Sequence, residues 1–123
     1  MNDWDKHVLV VDDDEAIRTM VERVLRRERF RVDSARDGFE AIQKLSQNDY
    51  GAIVLDLMMP RVDGLGVLRY IERERPEVGK VIVMTANVSV AAEAAKASPV
   101  SVVLPKPFDI RELIDQLRDQ SAA

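Results

Sequence analysis

Five short runs of aliphatic residues alternate along the chain with five segments of helical pattern. The first, third, fourth and fifth runs are apolar enough to be strands that are covered on both faces. Strands that alternate with helices form a parallel sheet, because each helix carries the chain back across one face of the sheet. The sequence therefore predicts an α/β fold with helices on both faces. The five runs are Val8–Val11, Phe30–Val32, Ala52–Leu57, Val81–Met84 and Val100–Leu104.

Four of the helical segments place their apolar residues on one face at helical spacing. The remaining segment, Val90–Ala97, is helical by its alanines but has little apolar bulk, so that Val88 and Val90 would be its only large anchors. The four apolar faces consist of Ile17, Val21, Val24 and Leu25; of Ala41, Ile42 and Leu45; of Leu65, Leu68 and Ile71; and of Ile110, Leu113, Ile114 and Leu117.

The chain has 123 residues and a formal net charge of −4, and it contains no cysteine. A chain of this length forms one domain, which buries roughly two thirds of the surface that the unfolded chain exposes. Without cysteine there is neither a disulfide framework nor a thiolate metal site, and nothing marks secretion. The apolar run at the start is too short for a signal peptide or a membrane span. We therefore expect a cytoplasmic protein that binds no membrane and, given its acidic balance, no nucleic acid directly.

Charged and hydroxyl side chains stand at the ends of four predicted strands. In sheets of this kind ligands bind at the carboxyl ends of the strands, so these side chains are expected to converge on one edge. They come from positions tens of residues apart, which chance supplies less readily than a local motif. The residues are Asp12, Asp13 and Asp14 after the first strand, Asp56 at the third, Thr85 after the fourth and Lys106 after the fifth.

The residue types at this edge suit phosphoryl chemistry. Adjacent carboxylates repel one another unless a cation lies among them, and oxygen ligands without histidine or cysteine favour a hard cation such as Mg²⁺. A carboxylate beside Mg²⁺ can attack phosphorus and form an aspartyl phosphate. The metal, a lysine and a hydroxyl can then hold the three phosphoryl oxygens, since phosphoryl transfer depends mainly on positioning and charge stabilisation.

Four short blocks of sequence occur in a characteristic order: the acidic residues after an aliphatic strand in VLVVDDD, then DLMMPRVDG, then MTA, then KPF. With these blocks the chain resembles, over essentially its full length (residues 1–123), the receiver domain of two-component response regulators, including the single-domain chemotaxis type. Any one block alone is a weak signal, whereas the four together are specific. The resemblance implies a flavodoxin-like, doubly wound (βα)5 parallel sheet with strand order 2-1-3-4-5.

The resemblance also implies which residues bind the metal and accept the phosphoryl group. Asp56 would be the phosphoacceptor. Mg²⁺ would be bound by Asp12, Asp13, Asp56 and the carbonyl oxygen of Met58, with Asp13 a more direct ligand than Asp12. Family resemblance places Met58 and Asn87 beside the path of the water that hydrolyses the aspartyl phosphate, and neither is a carboxylate. Slow hydrolysis is therefore expected.

The same resemblance assigns Thr85 as the hydrogen-bond donor to the phosphoryl group and Lys106 as its ionic partner. It further implies that the Lys106–Pro107 peptide bond is cis, a rare feature of folded chains. The chain itself would catalyse only its own phosphorylation and dephosphorylation.

The implied partner is a histidine kinase or a phosphotransfer protein, and the output partner is not specified. Its docking surface would consist of the start of the first helix, with Ile17 and Met20 as apolar contacts, and the turn formed by Pro107 and Phe108. A core role for Ile17 and Met20 is the alternative.

The chain departs from the family pattern near the fifth strand. Family members often carry GAxxYLxKPF, whereas this sequence has ASPVSVVLPKPF. The interval from Thr85 to Lys106 is one residue short, and Val103 occupies the switch position that is usually aromatic. The residues for phosphorylation are therefore complete, while the conformational readout differs from the usual one.

Simpler interpretations exist for several residues. Asp13 and Asp14 could serve as caps of the first helix, and we interpret Asp14 as a cap only. Asp63 and Gly64 predict a turn and a helix start. His7, the only histidine, is expected to be exposed to solvent and is not assigned as a phosphodonor.

Other classes of protein explain the pattern less well. A haloacid-dehalogenase-like phosphatase also uses an aspartate at a strand end and Mg²⁺, but its DxDGT block has no counterpart here. A nucleotide-binding domain needs a glycine-rich turn after the first strand, where this chain has three aspartates that repel phosphate. A degenerate receiver that acts only as a protein-interaction module would have the same fold and stays open as an alternative.

Overall fold

The computed structural model describes residues 6–59, 64–96 and 99–118, which form alternating strands and helices. The four predicted apolar faces all lie within helices. The elements in chain order are β1 His7–Val11, α1 Glu15–Arg27, β2 Arg31–Ala35, α2 Gly38–Gln47, β3 Ala52–Asp56, α3 Gly64–Glu74, β4 Lys80–Thr85, α4 Val88–Ala94, β5 Val102–Pro105 and α5 Ile110–Arg118.

The strands form a single parallel sheet in the order β2-β1-β3-β4-β5, which confirms the predicted fold class and topology. In register, Val11 lies opposite Leu55 of β3, and Asp56 lies opposite Met84 of β4. Thr85 pairs in turn with Pro105 of β5. The carboxyl ends of the strands are therefore nearly level, and the residues that follow them meet at one edge of the sheet.

Two apolar clusters cover the two faces of the sheet. On one face α1 and α5 contribute Val21, Leu25 and Leu113, which are buried against Val8 and Val10 of β1. The other face is covered by α2, α3 and α4. Helices thus cover both faces of the sheet, as the aliphatic central strands predict. The residues that these three helices bury in the apolar cluster are Ala41, Leu45, Val67, Leu68, Ile71 and Ala94.

The two edge strands differ most from their predictions. β2 was predicted to be Phe30–Val32 and extends instead over Arg31–Ala35, because pairing with β1 on one side suffices to hold the half-buried Asp33 and Ser34 in the sheet. β5 was predicted to be covered on both faces, yet only Leu104 is buried in it. An edge strand has one neighbour, so less of its surface is removed from water.

The fourth helix begins earlier than predicted, at Val88, and ends at Ala94. Asn87 caps it, since its side-chain oxygen accepts a hydrogen bond from the backbone N–H of Val90 at 3.0 Å. The expectation that Val88 anchors this helix is wrong, because this side chain is 83% exposed. Val90 is partly buried against the core. The prediction that the helix reaches Ala97 concerns a position outside the described residues, as does the predicted turn at Asp63.

His7 is buried, which corrects the expectation that it is exposed to solvent. Its Nε2 donates a hydrogen bond to Asp33 at 2.9 Å, and the Tyr50 hydroxyl donates to the same carboxylate oxygen at 2.7 Å. The rings of His7 and Tyr50 lie 4.5 Å apart. Although burial raises the pKa of Asp33, the hydrogen bond from Tyr50 and the charge of His7 outweigh it, and the pKa is lowered. The network connects β1 and β2 with Tyr50, which lies two residues before β3.

No helix in the described part of the chain has both the length and the apolar character that crossing a lipid bilayer requires.

We expect Tyr50→Phe to lower the free energy of unfolding by about 1 kcal/mol at pH 7, because the Asp33 carboxylate loses a buried donor. Since the pKa of Asp33 is lowered in the folded state, this stabilisation is present above its ordinary value of 3.8 and is lost as the pH falls below it. Urea unfolding between pH 2 and pH 7 measures both effects. A difference between Tyr50→Phe and the unaltered protein that stays constant down to pH 2 would contradict this account.

Candidate functional site

Asp12 lies at the carboxyl end of β1 and is completely buried. Its backbone is fixed on both sides, since its N–H donates to the carbonyl of Ala35 at 3.2 Å and its own carbonyl accepts from the Arg18 guanidinium at 2.9 Å. One carboxylate oxygen accepts from the backbone N–H of Asp14 at 2.9 Å. The carboxylate of Asp12 is thereby held in one orientation toward the edge of the sheet.

Asp13 and Asp14 are both exposed but have different surroundings. The Asp14 side chain accepts from the backbone N–H groups of Ala16 and Ile17, which makes it the cap of α1 as interpreted from the sequence. The Asp13 side chain has no hydrogen bond or ion pair within the described part of the chain, apart from its place beside the other carboxylates. Its carboxylate is therefore available for a ligand.

Asp56 is the last residue of β3 and is 4% exposed. The chain turns sharply after it, and one of its carboxylate oxygens accepts from the backbone N–H of Met58 at 3.0 Å. Gly64, the first residue of α3, packs against this turn: a Cβ there would lie 2.5 Å from the Cα of Leu57 and 3.1 Å from the Asp56 carbonyl oxygen. Only glycine fits without moving the backbone that carries Asp56.

Burial raises the pKa of Asp56 to about 6. The hydrogen bond from Met58 and the nearby Lys106 favour the carboxylate, whereas the negative charge of Asp12 disfavours it, and burial dominates. The acidic site is thus electrostatically unfavourable without additional positive charge.

Lys106 supplies one such charge. Its ammonium donates a hydrogen bond to Asp12 at 3.1 Å and lies 3.4 Å from the Asp56 carboxylate. Burial lowers the pKa of Lys106, but its hydrogen bond to Asp12 and the charges of both carboxylates outweigh burial and raise it. The Lys106–Pro107 peptide bond is cis, as the resemblance implies.

Thr85 ends β4, and its side chain is buried at the same edge. Its hydroxyl accepts a hydrogen bond from the backbone N–H of Asn87 at 3.1 Å. Asn87 also caps α4. The hydrogen bond therefore connects the Thr85 hydroxyl to the residue just before that helix.

The carboxylates of Asp12, Asp13 and Asp56 can each place an oxygen within 4.8 Å of the other two. Three carboxylates facing a single ammonium leave a deficit of positive charge. All the side-chain atoms that these three residues offer to a metal are oxygens. Both properties suit a hard divalent cation such as Mg²⁺. The side chains therefore fit the metal that the sequence predicts.

A cleft of about 310 Å³ opens beside the carboxylates, between α1 and the turn after β5. It brings together all four residues predicted for partner docking, of which Met20 is 43% exposed and Ile17 is partly buried. The cleft is lined by Ile17, Met20, Ala86, Lys106, Pro107 and Phe108.

Val103 lies opposite Val83 in the middle of the pairing between β4 and β5, partly buried against the core. The residues assigned to phosphoryl chemistry are gathered at the carboxyl edge, while Val103 lies below it.

Three positions that support the site were not singled out from the sequence as supports, namely Arg18, Gly64 and the cap at Asn87. The glycine after Asp63 and the asparagine before an alanine-rich helix are sequence signals that could have indicated the last two. The contact of the Arg18 side chain with a backbone carbonyl leaves no signal in the sequence.

Residues 8–118 match the family model described as the response regulator receiver domain. The chain belongs to this family. The family match leaves the phosphatase alternative without support.

Curated and solved proteins agree with this membership. The chain is 39% identical over 112 residues to the response regulator MprA of Mycobacterium sp. (strain KMS), covering 90% of this chain and 48% of that protein. A response regulator signal receiver domain from Bermanella marisrubri is similar with a TM-score of 0.83 and 36% identity, covering 94% of this chain and 98% of that one. The response regulator TrrA from Thermotoga maritima, solved in complex with Mg²⁺ and BeF, is similar with a TM-score of 0.81 and 28% identity, covering 91% and 96%.

The receiver domain therefore spans about half the length of the curated relatives that it matches. As a member of this family it is a receiver domain of two-component signalling, and phosphodonor kinases and output domains are the general classes of partner that membership implies.

We expect Asp56→Asn to stabilise the metal-free protein at pH 7 by about 1 to 3 kcal/mol, because it removes a buried carboxylate that faces another. The folded-state pKa of Asp56 is raised from 3.8 to about 6, so the folded state favours the protonated form. Its contribution to stability is present below pH 3.8 and is lost as the pH rises through about 6. The advantage of Asp56→Asn should therefore grow across this window. Thermal unfolding in a chelator, at several pH values, measures the stability gained by Asp56→Asn, with Asp13→Asn as the matched exposed control. A gain that is independent of pH would contradict the raised pKa of Asp56.

Proposed function

We propose that Asp56 accepts a phosphoryl group from the phosphohistidine of a histidine kinase or phosphotransfer protein, and that residues 1–123 act as one receiver domain in this reaction. The observation that carries the proposal is the convergence of Asp12, Asp13, Asp56 and Lys106 at a single edge of the sheet, within the distances given above. Mg²⁺ would be held by Asp12, Asp13, Asp56 and the carbonyl oxygen of Met58.

The proposed step follows from the chemistry of these groups. A carboxylate oxygen of Asp56 forms a bond to phosphorus while the bond from phosphorus to the donor imidazole breaks, and the electron pair of that bond returns to the imidazole. Mg²⁺ held by these ligands would supply positive charge that stabilises the phosphoryl group. Lys106 would transfer its ion pair from Asp56 to a phosphoryl oxygen, and the Thr85 hydroxyl would donate to another. The chain would thus catalyse only its own phosphorylation and dephosphorylation.

We expect acetyl phosphate with Mg²⁺ to add one phosphoryl group to the protein and Asp56→Asn to abolish the addition. The other carboxylate beside Lys106 is Asp12, and both of its oxygens already accept hydrogen bonds. Intact-protein mass spectrometry measures the product. Asp13→Ala should weaken Mg²⁺ binding more than Asp12→Ala, since both carboxylate oxygens of Asp12 already accept hydrogen bonds. Undiminished labelling of Asp56→Asn would refute the acceptor. Unlabelled wild-type protein would favour the degenerate, interaction-only receiver.

We expect the aspartyl phosphate to decay slowly, over many minutes or longer, because neither Met58 nor Asn87 carries a carboxylate that could orient and deprotonate water. The Asn87 side-chain oxygen is already occupied by the cap of α4. Asn87→Asp preserves a good cap and adds a proton acceptor, so its phosphate should decay faster, each ~1.4 kcal/mol of improved water positioning giving tenfold. Loss of radiolabel with time measures the rate, and decay of the unaltered protein within seconds would contradict the proposal.

The cleft between α1 and the turn after β5 supports the proposed docking surface. It opens toward Lys106, so a partner that fills it lies next to the acceptor. We assign Ile17, Met20, Pro107 and Phe108 as contacts of the phosphodonor. We also propose that the domain acts in the cytoplasm, where its donor's catalytic domain would meet it, without direct contact to nucleic acid or membrane.

Signal output is proposed to pass through α4, with Val103 in a passive role. Valine has one χ angle with restricted rotamers and lacks the reach of an aromatic ring. A direct route exists instead, because the Thr85 hydroxyl accepts from Asn87, and Asn87 caps α4. A hydroxyl that turns toward a phosphoryl group changes the hydrogen bond at the start of a short helix that is anchored mainly by Val90 and Ala94.

We expect beryllofluoride, which stands in for the phosphoryl group on Asp56, to shift amide signals strongly at Asp12, Asp56, Thr85 and Lys106. Further changes should appear as ordering over residues 86–98, of which 97 and 98 lie outside the described residues, with little movement at Val103. Amide and methyl NMR spectra with and without beryllofluoride measure these responses. A large two-state change at the Val103 methyl groups with α4 unchanged would restore a conventional switch.

A further inference from the structure

Arg18 lies beside the acidic site, yet it bonds to none of the carboxylates there. It belongs to the first turn of α1, and its partly buried guanidinium reaches back to donate a hydrogen bond to the backbone carbonyl of Asp12 at 2.9 Å. Within residues 6–59, 64–96 and 99–118, Arg18 forms no ion pair. The planar fork of arginine suits carboxylates best, so the choice of a carbonyl beside three carboxylates needs an explanation.

The carbonyl of Asp12 belongs to the peptide unit that joins Asp12 to Asp13. A peptide unit is planar, so a bond that fixes the direction of this carbonyl also fixes how the chain enters Asp13. Asp12 itself is held by other bonds: its N–H donates to Ala35 at 3.2 Å, and its carboxylate accepts two hydrogen bonds at 2.9 and 3.1 Å. Arg18 therefore controls the peptide unit that follows Asp12.

The position of the Asp13 carboxylate depends on that peptide unit. The side chain is exposed and has no hydrogen bond or ion pair to any other residue that the structure describes. Its carboxylate nevertheless places an oxygen within 4.8 Å of oxygens of Asp12 and Asp56. Like charges repel at this separation, so a peptide unit that was free to rotate would let Asp13 turn outward into water.

We infer that Arg18 is a positioning residue for the metal site, which fixes the peptide unit between Asp12 and Asp13 and so holds the Asp13 carboxylate where Mg²⁺ would bind. The inference rests on the proposed function, because that function assigns Asp13 to the metal. Mg²⁺ demands near-octahedral geometry, and groups that orient metal ligands typically change metal affinity roughly 10- to 100-fold. A bond to the carbonyl also leaves the Asp13 oxygens free for the metal.

Two simpler roles for Arg18 make different predictions. Arg18 could only stabilise the start of α1, where its own N–H bonds to the Asp14 carbonyl at 2.9 Å. Removal of its side chain would then lower stability and leave Mg²⁺ affinity unchanged. Alternatively, its positive charge could act on the acidic site through space. That effect would not depend on the presence of the Asp13 carboxylate.

The test begins with Arg18→Met, which removes the charge and the hydrogen-bond donors, and with Arg18→Lys, which restores a charged donor. Arg23→Met is the matched control, because Arg23 is an exposed arginine of the same helix. NMR titration of the full chain measures Mg²⁺ affinity, and urea unfolding in a chelator measures stability. Arg18→Met should weaken Mg²⁺ binding by about tenfold or more. Arg18→Lys should recover most of the affinity, and Arg23→Met should leave it unchanged. Arg18→Gln replaces Arg18→Met if that variant does not fold.

The same substitution in an Asp13→Ala background tests whether Arg18 acts through Asp13. If it does, Arg18→Met should lose most of its effect on Mg²⁺ affinity there, because the side chain that it positions is missing. An equal loss of affinity in both backgrounds would assign the effect to charge alone and overturn the inference. Reduced stability with unaltered Mg²⁺ affinity would likewise overturn it and leave Arg18 a purely structural role.

Labelling by acetyl phosphate separates this inference from the proposed function. Arg18→Met should need more Mg²⁺ for half-maximal labelling, whereas its rate at saturating Mg²⁺ should stay close to that of the unaltered protein. A lower saturating rate with an unchanged Mg²⁺ dependence would overturn the inference. If the unaltered chain binds Mg²⁺ but is not labelled, the proposed function is refuted, while the titrations still decide the role of Arg18. If the unaltered chain binds no Mg²⁺, the inference fails together with the metal site.

Discussion

The gathering of three carboxylates against a single ammonium is the constraint on which the rest of the structure depends. Asp12 and Asp56 are buried together, and Lys106 lies between them at 3.1 and 3.4 Å. Burial and mutual repulsion make this arrangement unfavourable, as the raised pKa of Asp56 indicates. The stability that offsets it comes from elsewhere, from the two apolar clusters that cover the sheet. The site thus retains an uncompensated negative charge that a divalent cation can neutralise.

The backbone holds these side chains in place through bonds between neighbouring strand ends. The N–H of Asp12 bonds to Ala35, that of Leu57 to Met84, and that of Lys106 to Thr85. Each loop that carries a charged group is therefore tied to the strand beside it, and the spacing of the sheet sets the separation of the groups. Gly64 completes this arrangement by allowing α3 to begin in contact with the turn after Asp56.

The two edges of the sheet use ionisable groups in opposite ways. At the amino edge, His7, Asp33 and Tyr50 satisfy one another, and the pKa of Asp33 is lowered. Such a network favours the folded state on its own. At the carboxyl edge, three carboxylates share one ammonium, and the proposed metal and phosphoryl group would supply the missing partners. The cleft lined by Ile17, Met20, Pro107 and Phe108 opens at the same edge, beside Lys106.

The sequence by itself determined the fold class, the strand order through the family resemblance, and the residue types at the carboxyl edge. The central strands were predictable because burial on both faces leaves an unbroken aliphatic run, and their terminal residues followed from the rule that parallel strands end together. It did not determine the extent of β2, where Asp33 and Ser34 are held by pairing with β1, nor the burial of His7, which depends on a tyrosine 43 positions away. Only the tertiary structure decided that Val88 is exposed, that Arg18 holds the Asp12 carbonyl and that Asn87 connects Thr85 to α4. These features depend on which side chains become neighbours once the sheet has formed. Residues that are far apart in the sequence then come into contact, and local sequence does not specify those contacts.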